Sequence, residues 1–209
     1  MALLEVRGLT RVFGEHPVLD GVDLDVEAGT AVVLTGANGV GKSTLLRCVI
    51  GSDEPTSGTI ELDGRRLDDR DPRIRRDLAT VMDDVDFFPD LSVVEHLDLF
   101  ARAHGVDDAD PVVDQVLRQV GLVAQSGQLP GTLSSGQRRR LALAAAFVRP
   151  RRLLVLDEPE ARLDIAGVDW LIERLTEDKR DGLGLLLASH SPRLVEALAD
   201  REVRLGARR

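Results

Sequence analysis

One glycine-rich segment constrains the fold of this chain more than any other part of the sequence. Its nine residues are Gly36-Ala37-Asn38-Gly39-Val40-Gly41-Lys42-Ser43-Thr44. The apolar run 31–35 before it predicts a strand buried on both faces, and residues 44–50 predict a helix that ends at Gly51. A loop with so little side chain leaves backbone N–H groups free to surround a phosphate, and the helix N-terminus adds a favourable dipole. We therefore expect these nine residues to bind a nucleotide.

Lys42 and Ser43 carry the side chains of this segment that suit a nucleotide. Lys42 would contact the terminal phosphates, and the Ser43 hydroxyl would ligate Mg²⁺. The alternative is a glycine-rich turn that matches the pattern by chance. The chain has only two lysines, Lys42 and Lys179, so a chance match is rare, and the expected strand and helix on either side make it rarer.

A pair of acidic residues follows a second apolar run. Leu153 to Leu156 predict a buried strand, and Asp157 and Glu158 come directly after it. Ligands gather at the carboxyl ends of parallel strands, so Asp157 is expected to face Mg²⁺ and Glu158 the γ-phosphate and a water. His190 follows the apolar run 183–188 in the same way and would hydrogen-bond the γ-phosphate. Alone, the acidic pair could be a turn after a core strand and His190 a structural histidine, and only their combination with the glycine-rich segment favours catalysis.

The remaining patterns predict a single α/β domain, residues 1–209. Residues 1–30 alternate apolar and polar side chains between glycines, which indicates short antiparallel strands. Ser92 and Glu95 form the pattern of a helix capping box, and helical spacing continues towards residue 148. The expected division is a core of about residues 1–83 and 149–209 and an inserted helical subdomain of about residues 84–148.

The composition excludes several classes of protein. With 209 residues, 43% hydrophobic and 30% charged, the chain can bury a core and is neither disordered nor fibrous. The longest apolar run, Leu141 to Val148, is too short to cross a bilayer, and residues 1–7 lack the pattern of a secretory signal. A single cysteine, Cys48, indicates a reducing compartment and is expected to fill the core. A net charge of −9 argues against sequence-independent nucleic-acid binding, so we expect a cytoplasmic protein without a nucleic-acid partner.

A third motif points to a known family. Leu133-Ser134-Ser135-Gly136-Gln137 is similar to the signature LSGGQ, with Ser135 at its first glycine, and lies about twenty residues before Asp157. With the other two motifs, it makes the chain resemble the ATP-binding subunit of an ABC transporter over essentially its whole length. The resemblance implies an α/β fold with a P-loop NTPase core (a RecA-like parallel sheet), an antiparallel β subdomain and an inserted helical subdomain.

The resemblance also implies cofactors and partners. Two ATP-binding subunits, identical or different, would pack head to tail around ATP and Mg²⁺. Separate transmembrane permease subunits would hold the pair at the inner face of the cell membrane. Ser135, Gly136 and Gln137 would contact the ATP of the partner subunit, with the N-terminus of their helix directed at the γ-phosphate. Phe13 would stack on adenine, the alternative being a plain core phenylalanine.

Besides Ser135, two positions depart from the family pattern. Asp83 stands where the family usually has the glutamine of the Q-loop, and it would reach Mg²⁺ through a water. Asp84 and Asp86 beside it leave open a solvated acidic loop, and the alignment there could shift by one residue. Arg162 replaces a small residue next to Leu163-Asp164, in the loop that crosses the dimer interface.

Arginines cluster after the signature and after the helix that follows it. We expect solvated faces there, some of which could meet acidic residues of a membrane partner or lipid head groups. These residues are Arg138, Arg139, Arg140, Arg149, Arg151 and Arg152.

The sequence thus predicts an ATPase that drives conformational change in separate membrane subunits, with Lys42, Glu158 and His190 as catalytic residues. The alternative is an ATP-binding regulatory module with weak or no turnover, which Asp83 and Ser135 favour. A soluble ABC ATPase that acts on ribosomes or DNA fits poorly, because such proteins usually carry two cassettes or long coiled coils. The transported substrate and the direction of transport are not encoded in these motifs.

Overall fold

The computed structural model describes residues 2–83 and 85–206 of the chain. Its central sheet contains five parallel strands, three of which the apolar runs predict. They are β3 (Ala31–Thr35), β6 (Leu78–Val81), β7 (Leu153–Asp157), β8 (Gly184–Ala188) and β9 (Arg201–Arg204). Their order across the sheet is β6-β7-β8-β3-β9, which places β8 between the two strands that precede the glycine-rich segment and the acidic pair.

A second, antiparallel sheet is built mainly from the N-terminal part of the chain, as its alternating pattern predicts. Its strands are β1 (Leu4–Phe13), β2 (His16–Val26), β4 (Ser57–Leu62) and β5 (Arg65–Arg66), in the order β2-β1-β4-β5. The apolar side chains of β1 that alternate along the strand, among them Leu4 and Val6, are buried. This sheet therefore has a buried face that packs towards the central sheet.

Helices cover the central sheet. They are α1 (Lys42–Val49), α2 (Pro72–Asp77), α3 (Val93–Ala103), α4 (Ala109–Val120), α5 (Ser135–Phe147), α6 (Ile165–Arg180) and α7 (Pro192–Leu198). Two short 3₁₀ turns, Val123–Gln125 and Pro130–Thr132, lie between α4 and α5.

The central sheet is buried on both faces, which explains its continuous apolar runs. In β7, Leu153 and Val155 pack with α1 and the antiparallel sheet, whereas Leu154 and Leu156 pack with the remaining large helices. Successive side chains of a strand point to opposite faces, so one apolar run serves two separate cores.

The helix boundaries follow local signals in the sequence. The capping box predicted at Ser92 is present, with both the Ser92 and the Glu95 side chains bonded to backbone N–H groups, and α3 begins directly after it. Helix α4 ends at Gly121, which adopts the left-handed conformation with φ 69°. Helix α1 begins at Lys42, two residues earlier than its apolar spacing predicts, because Gly41 with φ 106° forms its N-cap.

The sequence patterns did not predict several short strands and helices. The strand β6 and the helix α2 before it are four and six residues long, and β9 carries three charged side chains on the edge of the sheet. A strand of four residues holds only two periods of alternation, too few to identify it from sequence, so pairing with a neighbour defines it. The division into a core and a helical subdomain at residues 84 and 148 stays a prediction, and Asp84 lies outside the described residues, as do Met1 and residues 207–209.

The expectation of solvated arginine faces is wrong for part of the cluster. Arg139 and Arg151 are 4% and 10% exposed, and Arg149 is half-buried, whereas Arg138 and Arg152 are exposed. Arg151 Nη1 donates hydrogen bonds to the carbonyls of Ala146 and Phe147 at 3.3 and 3.1 Å, where α5 ends. The last carbonyls of a helix lack partners within it, so a buried guanidinium is accommodated there.

Two further expectations, on membrane-spanning helices and on Cys48, can be compared directly with the structure. In residues 2–83 and 85–206, no helix combines the length and the hydropathy needed to cross a bilayer. Cys48 is fully buried in the core around α1, as expected for a residue that fills the core. Burial raises the pKa of its thiol to about 11. Lys179, which no motif explained, donates hydrogen bonds to the Leu198 carbonyl and the Asp200 carboxylate.

We predict that Asp178→Asn destabilises the protein by about 3–5 kcal/mol, because it leaves buried guanidinium charge without its carboxylate. Asp178, only 12% exposed, accepts from Arg151 at 2.6 Å and pairs with Arg174 at 3.0 Å. The matched control is Asp63→Asn, which removes the exposed partner of Arg152 and should have a much smaller effect. Urea unfolding followed by circular dichroism measures both, and equal losses for the two variants would contradict the prediction.

Candidate nucleotide site

The glycine-rich segment forms a tight loop between β3 and α1 that tolerates no side chains at two of its glycines. Gly36 has φ 138°, and a Cβ atom there would lie 2.5 Å from the Leu205 carbonyl oxygen. At Gly41, a Cβ atom would lie 3.0 Å from atoms of Val18 and Leu19. Glycine is thus required at both positions for steric as well as conformational reasons. Ala37, Asn38 and Gly39 are exposed at the tip of the loop.

The side chains that follow the loop point to an anion site. Lys42 is buried, and its Nζ atom donates to the carbonyls of Gly36 and Ala37 at 3.1 and 3.2 Å, so the ammonium group lies within the loop. Helix α1 has no side-chain cap at its N-terminus, and Ser43 and Thr44 in its first turn are half-buried. Uncapped N–H groups at a helix N-terminus beside a lysine form a ready site for phosphate.

The acidic pair lies at the carboxyl edge of the same sheet. Asp157, the last residue of β7, is 4% exposed. Glu158 follows with φ 45°, a conformation that is costly for a residue with a side chain, and its N–H donates to the Ala188 carbonyl at 2.9 Å. Strain of this kind persists where the surrounding structure enforces it, which is common at functional sites.

The structure brings His190 and Glu158 together. His190 Nε2 lies 3.5 Å from Glu158 Oε1, and both side chains are partly open to solvent. Since β8 lies between β7 and β3, the residues that follow β8 lie between the acidic pair and the glycine-rich loop. The sequence places these residues in three separate motifs, and the strand order explains how they reach one edge.

Glu160 is a site residue that the sequence analysis missed. Its carboxylate accepts hydrogen bonds from the Ser189 hydroxyl and, at 3.3 Å, from the Ser191 N–H. It thereby fixes the residues on either side of His190. Its second oxygen, Oε2, is buried and has no hydrogen-bond partner among the residues that the structure describes. The available signal was a third acidic residue, directly after Asp157-Glu158-Pro159.

The signature segment presents a helix N-terminus. Ser134 is the N-cap of α5, and it forms a capping box with Gln137, whose side chain accepts from the Ser134 N–H at 2.8 Å. Ser135 is exposed, and Gly136 is half-buried. A Cβ atom on Gly136 would lie 2.9 Å from the Arg162 carbonyl oxygen, so glycine lets the signature approach the loop after Glu158 closely.

The two departures from the family pattern lie next to each other. Arg162 Nη2 is 3.6 Å from Asp83 Oδ1, and both side chains are about half exposed. Arg162 also has a left-handed backbone with φ 67°. The role of Asp83 towards Mg²⁺ stays a prediction, and Asp84 beside it lies outside the described residues.

The residues present fit a magnesium ion that is held largely by phosphate. In the part of the chain that the structure describes, no group of three His, Cys, Asp or Glu side chains could hold a metal by itself. Mg²⁺ in nucleotide sites typically takes one or two protein oxygens besides phosphate oxygens and waters. The Ser43 hydroxyl and the buried Asp157 carboxylate supply that set, with Asp83 as a candidate through water.

Phe13 lies at the end of β1 and is 44% exposed, so the interpretation as a core phenylalanine is wrong. The Arg11 guanidinium carbon lies 4.3 Å from the centre of its ring, which stabilises one position of the ring. An exposed, positioned ring is suited to stacking on a base, and this role stays a prediction.

Comparison with known proteins bears on the family and on the fold. The family described as ABC transporter matches residues 19–161, more than half of the chain. The chain belongs to the ABC transporter family. It is 37% identical over 202 residues to a spermidine/putrescine import ATP-binding protein of Pseudomonas aeruginosa, a match that covers 95% of this chain and 55% of the relative. The chain thus spans about half the length of that relative.

Solved structures of the family have the same fold. One, described as the ATP-binding subunit of an ABC transporter, is 34% identical with a TM-score of 0.91, and the match covers 97% of this chain and 85% of that chain. Another is a dimeric ATP-binding cassette in a post-hydrolysis state with ADP and Pi, 24% identical with a TM-score of 0.88 over 97% of this chain and 94% of that chain. At that identity the second likeness shows the fold alone. The fold expected from the resemblance, a P-loop core with an added antiparallel sheet and helices, is confirmed.

We predict that Gly36→Ala weakens binding of a fluorescent ATP analogue at least ten-fold, because the new Cβ atom would meet the Leu205 carbonyl and force the loop to move. Backbone strain of about 1–3 kcal/mol corresponds to about ten-fold or more in affinity. Gly127→Ala is the control, since a Cβ atom there meets nothing within 4 Å. Equal affinities of the two variants in a fluorescence titration would refute the steric argument.

Proposed function

We propose that this chain is the ATP-hydrolysing subunit of an ABC transporter, and that two such subunits bind Mg-ATP head to tail. The observation that carries the proposal is the shared sheet edge on which the Lys42 loop, Asp157 and the Glu158–His190 pair meet. One edge thus combines a site for phosphate, a buried carboxylate for a cation and a positioned acid–base pair.

Different residues of the chain bind the phosphates and promote hydrolysis of ATP. The amides of the glycine-rich loop and Lys42 bind the phosphates and stabilise charge on the leaving group. Glu158 orients the attacking water and accepts its proton, and His190, within reach of Glu158, hydrogen-bonds the γ-phosphate. A magnesium ion between Ser43 and Asp157 would neutralise phosphate charge when bound.

The exposed signature supports a dimer. Ser135 and Gly136 open helix α5 at the surface, and the capping box of Ser134 and Gln137 leaves the remaining N–H groups of the first turn directed outwards. Such a helix end attracts an anion, and the γ-phosphate bound by a second subunit is the anion that the head-to-tail arrangement provides. A similar fold occurs as a dimer with ADP and Pi, which supports this arrangement.

Separate membrane subunits would receive the resulting movement. The family match, together with relatives named as transporter ATP-binding proteins, supports a permease partner at the inner face of the membrane. No observation selects the transported substrate. The regulatory alternative with weak turnover has no support among the relatives.

We predict that Glu158→Gln lowers the rate of phosphate release from Mg-ATP by about 10²–10⁴-fold, because the amide cannot accept the proton of the attacking water. Binding of a fluorescent ATP analogue should stay within about two-fold of the unmodified protein, since the loop at 36–44 is untouched. Glu173→Gln, the same change on an exposed position of α6, is the control. An unchanged rate for Glu158→Gln would refute its role.

We also predict that the Glu158→Gln protein dimerises only with ATP, because the nucleotide supplies the charge that each signature helix faces. Light scattering after size-exclusion chromatography should show mainly monomer without nucleotide and mainly dimer with Mg-ATP. Equal dimer fractions in the two conditions would count against the head-to-tail arrangement.

A further inference from the structure

One buried arginine side chain in the site has none of the roles described so far. Arg139 lies on α5, one helical turn after Ser135, and is 4% exposed. Burial lowers the pKa of its guanidinium, while the nearby carboxylates of Asp83, Glu160 and Asp157 raise it and Arg162 lowers it further. A buried arginine stays charged, so its surroundings must satisfy its N–H groups.

Backbone carbonyls satisfy this guanidinium. Nη2 donates to the carbonyls of Asp157 and Glu158 at 2.5 and 2.7 Å, and Nε donates to the Pro159 carbonyl at 3.2 Å. Nη1 donates to the Met82 carbonyl at 2.9 Å, next to Asp83. One side chain therefore binds three consecutive carbonyls around Glu158 and a fourth on the segment of the Q-loop position.

These bonds act where the backbone is strained. Glu158 has φ 45°, and the direction of its side chain depends on the two peptide planes that flank it. The guanidinium fork binds a carbonyl on each side of that residue, so it holds both planes. A planar fork with several N–H groups in fixed directions suits this task, whereas a lysine ammonium does not reproduce it.

The same helix carries the signature. Residues 135 and 139 are four positions apart, so they lie on one face of α5, and a single turn of helix is rigid. In the proposed dimer, the signature contacts the ATP of the partner, and Glu158 acts on the ATP of its own subunit. Arg139 is therefore a direct hydrogen-bonded link, within one subunit, between the residues that serve the two nucleotides.

We propose that Arg139 is a positioning residue that couples the two nucleotide sites of the dimer, by fastening the signature helix to the backbone of Glu158. The proposal rests on the proposed function. It differs from a purely structural role because loss of Arg139 in one subunit should slow hydrolysis at both sites. Arg151 shows the structural case: it is also buried, but it binds the end of α5 and Asp178, away from the site.

Mixed dimers separate these roles. Two subunits with different affinity tags are co-purified, and one carries Glu158→Gln, so only the Glu158 of the other subunit hydrolyses ATP. Arg139→Gln is then added to one subunit at a time. In the first arrangement, Arg139→Gln is in the subunit that keeps Glu158. In the second arrangement, Arg139→Gln is in the Glu158→Gln subunit, which donates its signature to the active site of the other subunit.

The reference is the mixed dimer that keeps both copies of Arg139. Relative to it, we expect the rate of phosphate release to fall about ten-fold or more in both arrangements, because small misplacements of reacting groups have effects of this size. A loss only in the first arrangement would mean that Arg139 serves its own Glu158 alone, and a loss only in the second that it serves the signature alone. Either result, or no loss at all, would overturn the coupling. No hydrolysis by the unmodified protein, in which both subunits keep Glu158, would instead refute the proposed function, and the coupling with it.

Two controls keep the result interpretable. Arg138→Gln, the same change on the exposed neighbouring residue, should leave the rate unchanged in both arrangements. Arg139→Lys keeps the charge but not the fork, and should restore part of the rate. Both Arg139 variants should bind a fluorescent ATP analogue with unchanged affinity, because the loop at 36–44 is intact. If both lose binding or cooperative thermal unfolding, Arg139 is a structural residue and the proposal is wrong.

Discussion

The pairing of β8 with both β7 and β3 is the constraint on which the site depends. These strands hold the ends of three distant parts of the chain at one edge, each end fixed by main-chain hydrogen bonds. Glu158 is itself tied to this pairing, since its N–H bonds to the carbonyl of Ala188, the last residue of β8. Because the strands are packed closely on both faces, a slip in their register would exchange side chains between the two cores and disrupt the packing, so the polar residues at the strand ends are held in fixed positions.

The site combines rigid strands with loops under strain. Gly36 and Gly41 have positive φ values and closely packed surroundings, and Glu158 and Arg162 adopt left-handed backbones despite their side chains. The surrounding structure enforces these conformations through specific contacts, such as those of Arg139 with the carbonyls around Glu158 and of Glu160 with Ser189 and Ser191. Buried polar groups are costly unless they are satisfied, so these contacts specify one arrangement of the site.

Much of the site was accessible from sequence because its chemistry depends on local patterns. The glycine-rich segment, the acidic pair after β7 and the capping box at the start of α3 each lie within a few residues, where strand, loop and helix signals are strongest. His190 was predicted from its place after an apolar run and Phe13 from the resemblance to the family, although only the structure shows that the Phe13 ring is exposed and that the His190 ring approaches Glu158. The arginines show the limit. Arg138 and Arg139 are neighbours of the same type, and one is exposed while the other is almost fully buried, because burial of a helical residue depends on what packs against that face.

The sequence by itself determined the class of fold and the residues of the phosphate loop, since apolar periodicity and glycine positions act over short distances. Its three motifs also carry the resemblance to the family. The tertiary structure decided the order of the strands, and with it which residues meet. In the folded chain, Asp83 lies beside Arg162, and Glu160 accepts a hydrogen bond from Ser189, next to His190. Arg139 is buried against the backbone of Glu158. Each of these contacts joins residues far apart in the chain, and the free energy of satisfying a buried charge or carbonyl depends on neighbours that only the folded chain supplies.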